Sequence, residues 1–169
     1  GLFAALALAE AGARPVVFER GKRVEERARD VETFWAGGAL DGESNVQFGE
    51  GGAGAFSDGK LTTGIKSPHI ARVLQTLHAC GAPEDILYMA HPHVGTDRLR
   101  QVVRALREKI LALGGEIHFQ TRLTGLLREN GALCGLRVAN ARGEEAEWPV
   151  RAAILAVGHS ARDTFEMLL

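Results

Sequence analysis

The chain has 169 residues, 46% of them hydrophobic, and a formal net charge of −1 from 20 basic and 21 acidic side chains. This length suits one domain, or one domain with part of another, and supplies enough apolar residues for a core. The evenly mixed charge excludes a basic stripe for nucleic acid and an acidic disordered tail, and no apolar run reaches membrane-spanning length.

The opening run GLFAALALAEAGARPVVFERG has no basic lead and is broken by Glu10, so it does not read as a signal peptide. Its small residues and Leu2, Leu6 and Ala9 predict a tightly packed helix, with Gly12 as its stop. Pro15–Phe18 predicts a short buried strand ending on Glu19. Glycine, helix, turn, buried strand and acid, in that order, form the second half of a βαβ dinucleotide-binding unit. In such a unit Gly1 is the third glycine of G-x-G-x-x-G, and Glu19 is the acid that holds a ribose hydroxyl. A first strand and the first two glycines are then expected ahead of Gly1, which makes the chain a fragment. The same residues also fit an ordinary helix–strand pair with Glu19 a solvated carboxylate.

Residues 20–36 read as a charged loop or short helix ending in Phe34 and Trp35. Residues 37–64 are dense in glycine, but Asn45, Phe48, Phe56, Asp58 and Lys60 argue against a plain linker. Residues 37–95 form a glycine-rich loop and helical insertion within one domain spanning 1–169. A helix is expected from Pro68 to His78, with Val73, Leu74 and Leu77 on one face and Gly81 as its stop. A second follows a Thr96 or Asp97 cap. Its apolar residues Leu99, Val102, Val103, Leu106, Ile110 and Leu113 keep helical spacing up to Gly114-Gly115.

Strands are expected at Ile117–Phe119 and Leu123–Leu127. A tight turn at Asn130-Gly131 then leads into antiparallel strands at Leu133–Val138 and Trp148–Val150. Ala152–Val157 predicts a fully buried strand. Its small residue and Gly158 would let backbone approach a ligand at the carboxyl edge of a parallel sheet.

Catalysis and metal binding draw little from the sequence. His159, Ser160 and Asp163 are too close in sequence to converge as a triad and lack the glycines of a nucleophile elbow; Ser160 or Asp163 reads as a helix cap. His91 and His93 lack further metal ligands. Cys80 and Cys134 form no C-x-x-C, read as buried, inert thiols, and suit a reducing, cytoplasmic setting. No catalytic residue and no metal ligand is assigned.

The opening run, together with FGEGGAGAFSDGKLTT and VGHSARDTF, resembles bacterial FAD-dependent dehydrogenases. These are flavoproteins of the two-dinucleotide-binding-domain type, and this group has no defined substrate. The likeness covers nearly the whole chain. It implies an α/β fold: a Rossmann-like FAD/NAD(P)-binding domain with a central parallel sheet, a small antiparallel meander and a glycine-rich loop region. It implies FAD as cofactor and NAD(P)H as a candidate electron donor.

In residues of this chain, the resemblance implies that Gly1 faces the FAD pyrophosphate at a helix N-terminus. Glu19 would hold the adenosine ribose, and Arg20 and Gly21 would line the adenosine side. Gly49, Glu50, Gly51, Gly52, Ala53 and Gly54 would run by the ribityl chain or flavin ring. Backbone at Leu123 would hold adenine. Ala156, Val157 and Gly158 would form a late FAD contact. Lys60 would place a cation near the flavin N1 side. Without the first two fingerprint glycines, and ending at Leu169, the fragment is expected to retain little FAD and to be inactive alone. A non-catalytic nucleotide-binding module, or NAD in place of FAD, stays open. An acid at Glu19 disfavours a 2′-phosphate and hence NADP at this site. Substrate, redox partner and oligomeric state are undefined; neither nucleic acid nor membrane is expected as a partner.

Overall fold

A computed structural model describes all 169 residues. The chain is mixed α/β, with a two-stranded parallel sheet and a three-stranded antiparallel one. Helix α1 (Leu2–Glu10) leads to strand β1 (Val16–Phe18), and α2 spans Val24–Trp35. After the glycine-dense loop come a 3₁₀ turn at Ala53–Phe56, α3 (Ile70–Ala79), a second 3₁₀ turn at Glu84–Leu87, and α4 (Thr96–Ala112). Strands β2 (Glu116–His118), β3 (Thr121–Glu129), β4 (Ala132–Asn140) and β5 (Glu145–Pro149) follow, and α5 (Arg162–Leu168) ends the chain.

Strand β1 pairs in parallel with β2, Val17 opposite Ile117. Both of these residues face a core built from Ala5 and Leu6 of α1 and from Leu99, Val102, Leu106 and Ile110 of α4. On a β-strand successive side chains alternate faces, so Phe18 and His118 point the other way. There they stack on each other at 5.5 Å, and Trp148 of β5 meets them edge-on at 5.2 and 5.0 Å. The order of layers is therefore helices, parallel pair, meander. A second core cluster joins Val24, Ala28 and Val31 of α2 to Ala55, Phe56 and Val103.

Helices α1, α3 and α4 each end with a backbone amide beyond the helix reaching back to a carbonyl in its last turn: Ala13 to Leu8, Ala82 to Leu77, and Gly115 to Ile110. Gly12, Gly81 and Gly114 sit between, at φ of 83°, 105° and 88°, the left-handed geometry that favours glycine at a helix end. Asn130 and Gly131 both take positive φ, 50° and 80°, as a tight hairpin between β3 and β4 requires.

Several sequence expectations need correction. Residues 24–35 are a full helix, because its inner stripe of Val24, Ala28 and Val31 is completed by a buried arginine, Arg27. Helix α4 is entered from Gly95 with no side-chain cap; the Thr96 hydroxyl instead donates to the Ser57 carbonyl at 2.7 Å. In α3 Leu77 is buried and Leu74 half-buried, while Val73 is exposed; nor are both cysteines buried, since Cys80 is half-buried and Cys134 on strand β4 is exposed. The largest difference is Ala152–Val157. This run is no buried strand: it makes no backbone hydrogen bond, and Ile154 and Leu155 are 64% and 45% exposed. A strand apolar on both faces needs ladder partners as well as covering layers, and no strand of the chain hydrogen-bonds to it.

Candidate functional site

The sequence singles out the end of β1. Past Phe18 the chain stays paired with the β2–β3 connection: the Glu19 amide donates to His118 at 2.9 Å, Thr121 to Glu19 at 3.0 Å, and Gln120 to Gly21 at 2.9 Å. This fixes the Glu19–Gly21 turn against the sheet. One Glu19 carboxylate oxygen, Oε1, accepts the Gly21 amide at 2.9 Å. Oε2 receives no protein donor.

Glu19 lies within electrostatic reach of two groups. Partial burial lowers the Gly1 amino group from its ordinary value, and the Glu19 carboxylate partly offsets this. Burial likewise lowers the Arg27 guanidinium to about 10, offset by Glu19 and Glu50. The start of α1 carries unpaired amides and a helix dipole that favour an anion.

Arg20 is pinned rather than free. Its Nε and Nη2 grip Glu43 at 2.7 and 3.1 Å, its Nη1 meets Asp163 at 3.0 Å, and its guanidinium lies 4.1 Å over the Phe48 ring. Arg122 adds longer links of 3.4 Å to the same two carboxylates. This four-residue node ties the turn after β1 to the glycine-dense loop and to the start of α5. It anchors the chain just beyond Gly158 next to the Glu19 turn.

Beneath the glycine-dense loop, Arg27 is fully buried. It donates to the carbonyls of Asn45 at 2.7 Å, Val46 at 3.0 Å, Gly49 at 3.2 Å and Glu50 at 2.7 Å. Glu50 is buried as well. Its Oε2 accepts the Val24 amide at 2.8 Å and Arg107 at 2.6 Å, while Oε1 has no partner. A protein carboxylate therefore already fills the N-terminus of α2.

The candidate glycines divide by surroundings. A Cβ on Gly49 would collide with the Arg27 side chain, and one on Gly51 would lie 3.0 Å from Val103. These two are packed by the protein itself. Around Gly1, Gly52, Gly54 and Gly158 a Cβ would meet nothing within 4 Å, so that backbone is open to a ligand. The residues left open, with Glu19 Oε2, are of the kind that fit a dinucleotide: bare main chain and one unshared carboxylate oxygen.

Three other expected positions have surroundings of their own. Lys60 pairs with Asp58 at 2.8 Å on an exposed turn, and its backbone bridges to His93. Leu123 sits in β3 opposite Val138, just before a bulge. Ala156 belongs to the unpaired 152–157 run. Sequence reading missed Arg27, Glu43 and Arg107, because a charged residue on a helix's buried stripe or in a loop carries no periodic signal; neither Ser160 nor Asp163 caps α5, which is entered from Ala161 with no side-chain cap, and Asp163 pairs with Arg20 instead. No group of three or more His, Cys, Asp or Glu side chains is arranged to hold a metal, and no helix is long and apolar enough to cross a membrane.

No family model matches the chain. Over 168 residues it is 51% identical to an uncharacterised protein of Clostridium beijerinckii, a match covering 99% of this chain and 31% of that protein. The chain thus spans about a third of the length of the curated relative it matches. A solved structure of BexE, studied for oxidation during BE-7585A biosynthesis, is similar at a TM-score of 0.41 and 17% identity, over 89% of this chain and 28% of that one. A likeness at that level carries no argument about fold or activity.

Proposed function

We propose that this chain is the FAD-binding portion of a flavin-dependent oxidoreductase, a dehydrogenase of undefined substrate, with a Rossmann-like domain built on a central parallel sheet. The observation that carries the reading is the Glu19 turn at the end of β1. A carboxylate with one oxygen free of protein donors closes the strand that follows α1, and a Cβ on Gly1 at the start of that helix would meet nothing within 4 Å. This is the arrangement in which a helix N-terminus takes a pyrophosphate and an acid takes ribose hydroxyls. The open backbone at Gly52, Gly54 and Gly158 offers further main-chain contacts.

In this reading FAD supplies the hydride or electron chemistry. Glu19 orients the adenosine end, and the α1 amides neutralise phosphate charge. The Arg27 clamp holds the loop from Asn45 to Glu50 in shape. The test is to purify the full-length polypeptide and record its visible absorbance, then its bleaching by NADH and by NADPH. A yellow protein that releases FAD on denaturation and bleaches with a nicotinamide donor supports the reading. A colourless protein that binds NAD but not added FAD overturns it in favour of an NAD domain. A yellow protein that no donor reduces indicates a non-catalytic module.

A further inference from the structure

Two buried side-chain atoms of the chain have no hydrogen-bond partner: Oε1 of Glu50 and Nε of Arg100. Glu50 is otherwise well held, through Oε2. Arg100 is not. Its Nη1 lies 3.5 Å from Glu32 Oε1, too long for a good hydrogen bond, and that is its one ionic contact. The Glu32 side chain is 63% exposed. A guanidinium carries five N–H donors and no acceptor, and a partly buried polar group left unpaired calls for an explanation. The other arginines packed into this part of the chain spend their donors: Arg27 on four carbonyls, Arg107 on Glu25 and Glu50.

Arg100 is also held in place without using those donors. It sits on α4 one turn after Thr96, whose hydroxyl ties the helix to the Ser57 carbonyl at 2.7 Å. Its guanidinium carbon lies 4.8 Å from the centre of the Phe56 ring, and that of Arg27 lies 4.6 Å from the same ring. A cation over an aromatic face is bound through the ring's quadrupole, so the N–H groups in the guanidinium plane stay available. Arg27 bonds only to carbonyls, so its charge adds to the positive field at Phe56. The Arg100 side chain is 23% exposed, which leaves it within reach of solutes.

We propose that Arg100 binds the oxyanion of a small molecule, a carboxylate or phosphate group, beside the turn Ala53–Phe56, and that the ligand displaces Glu32. The planar fork of a guanidinium matches both oxyanions with paired hydrogen bonds, and bonds between charged partners are the short, strong ones. Glu32 on its exposed side chain makes a weak internal competitor. The site stands on Arg100, Phe56 and Glu32, and does not depend on the flavin reading.

The test is thermal unfolding of the full-length polypeptide and its Arg100→Gln variant, with any bound nucleotide retained. Inorganic phosphate and acetate each replace chloride in turn, at fixed pH and ionic strength. The expected result is a Tm of the parent that rises with one or both anions and levels off, as saturable binding requires, and a variant that loses most of the rise. Phosphate alone acting identifies a phosphate ligand; acetate alone identifies a carboxylate. No rise in the parent, or equal rises in parent and variant, overturns the proposal. A second measurement needs no variant: phenylglyoxal modification of the parent, mapped by peptide mass spectrometry. The effective anion should slow modification of Arg100 at least about fivefold, the factor given by a ligand at several times its dissociation constant, and leave the exposed Arg98 unchanged. Equal rates at Arg100 with and without the anion overturn the proposal.

Discussion

Gly21 and Gly49 cross so closely that a methyl group on Gly21 would lie 2.5 Å from the Gly49 Cα. This contact seats the glycine-dense loop against the turn that carries Glu19. Gly49 itself holds φ of 118°, with the Arg27 side chain filling the place of its own Cβ. Gly21→Ala forces backbone apart and should cost about 1–3 kcal/mol, read as a lower urea midpoint.

Gly54 provides the contrast. It is exposed, has no positive φ and has nothing within 4 Å of a Cβ. Gly54→Ala should leave stability within about 0.5 kcal/mol. On the proposed reading, in which this loop contacts the flavin, the same change should weaken FAD binding in the full-length protein. A change in the urea midpoint with unchanged FAD affinity would contradict this division between packed and open glycines.

Arg27 satisfies four carbonyls while losing its own hydration. Truncation to Met leaves those carbonyls buried without a donor and should cost about 3 kcal/mol or more, since each lost partner carries a desolvation penalty. Arg27→Lys should rescue little, because an ammonium cannot reproduce the planar fork. Urea unfolding of the three proteins checks this; near-equal stability of the Lys variant and the parent would contradict it.

Stability should respond to pH in opposite senses at two carboxyls. Burial pushes the Glu50 carboxyl up, and this outweighs the Val24 amide and Arg107 that favour its charge. A raised carboxyl contributes most below its ordinary value near 4.5, and that contribution is lost as pH rises through the raised value. Burial also opposes charge on Asp163, but the Arg20 hydrogen bond and the Arg20 and Arg122 charges win, so its carboxyl lies below the usual range. Its contribution is present above the usual carboxylate value and lost as pH falls through the depressed one. Glu50→Gln should therefore flatten the decline of stability above the ordinary carboxylate range. Asp163→Asn should flatten the decline in acid and, being half-exposed, change neutral stability by about 1 kcal/mol or less. Urea midpoints measured across the pH range check both slopes.

The sequence made α1, β1, α4 and the Asn130-Gly131 hairpin readable, because each is written in local terms: apolar spacing, a glycine past the helix end, a two-residue turn. Helix α2 was half-hidden because its buried stripe includes Arg27, whose partners are loop carbonyls 18 to 23 residues away. The Arg20–Glu43–Asp163–Arg122 node joins residues up to 143 positions apart, and no spacing rule reports such a contact. Ala152–Val157 has the composition of an inner strand, yet strand formation depends on a neighbour, and composition does not supply one.

The central claim is that Glu19 and the start of α1 grip the two ends of an adenosine diphosphate moiety. The most direct test is titration of FAD into full-length apoprotein carrying Glu19 or Glu19→Gln, alongside a urea curve for each. The account predicts FAD binding weakened about tenfold to a hundredfold, as expected for loss of hydrogen bonds to a charged acceptor, with the urea midpoint nearly unchanged. Equal FAD affinity in the two proteins would contradict it.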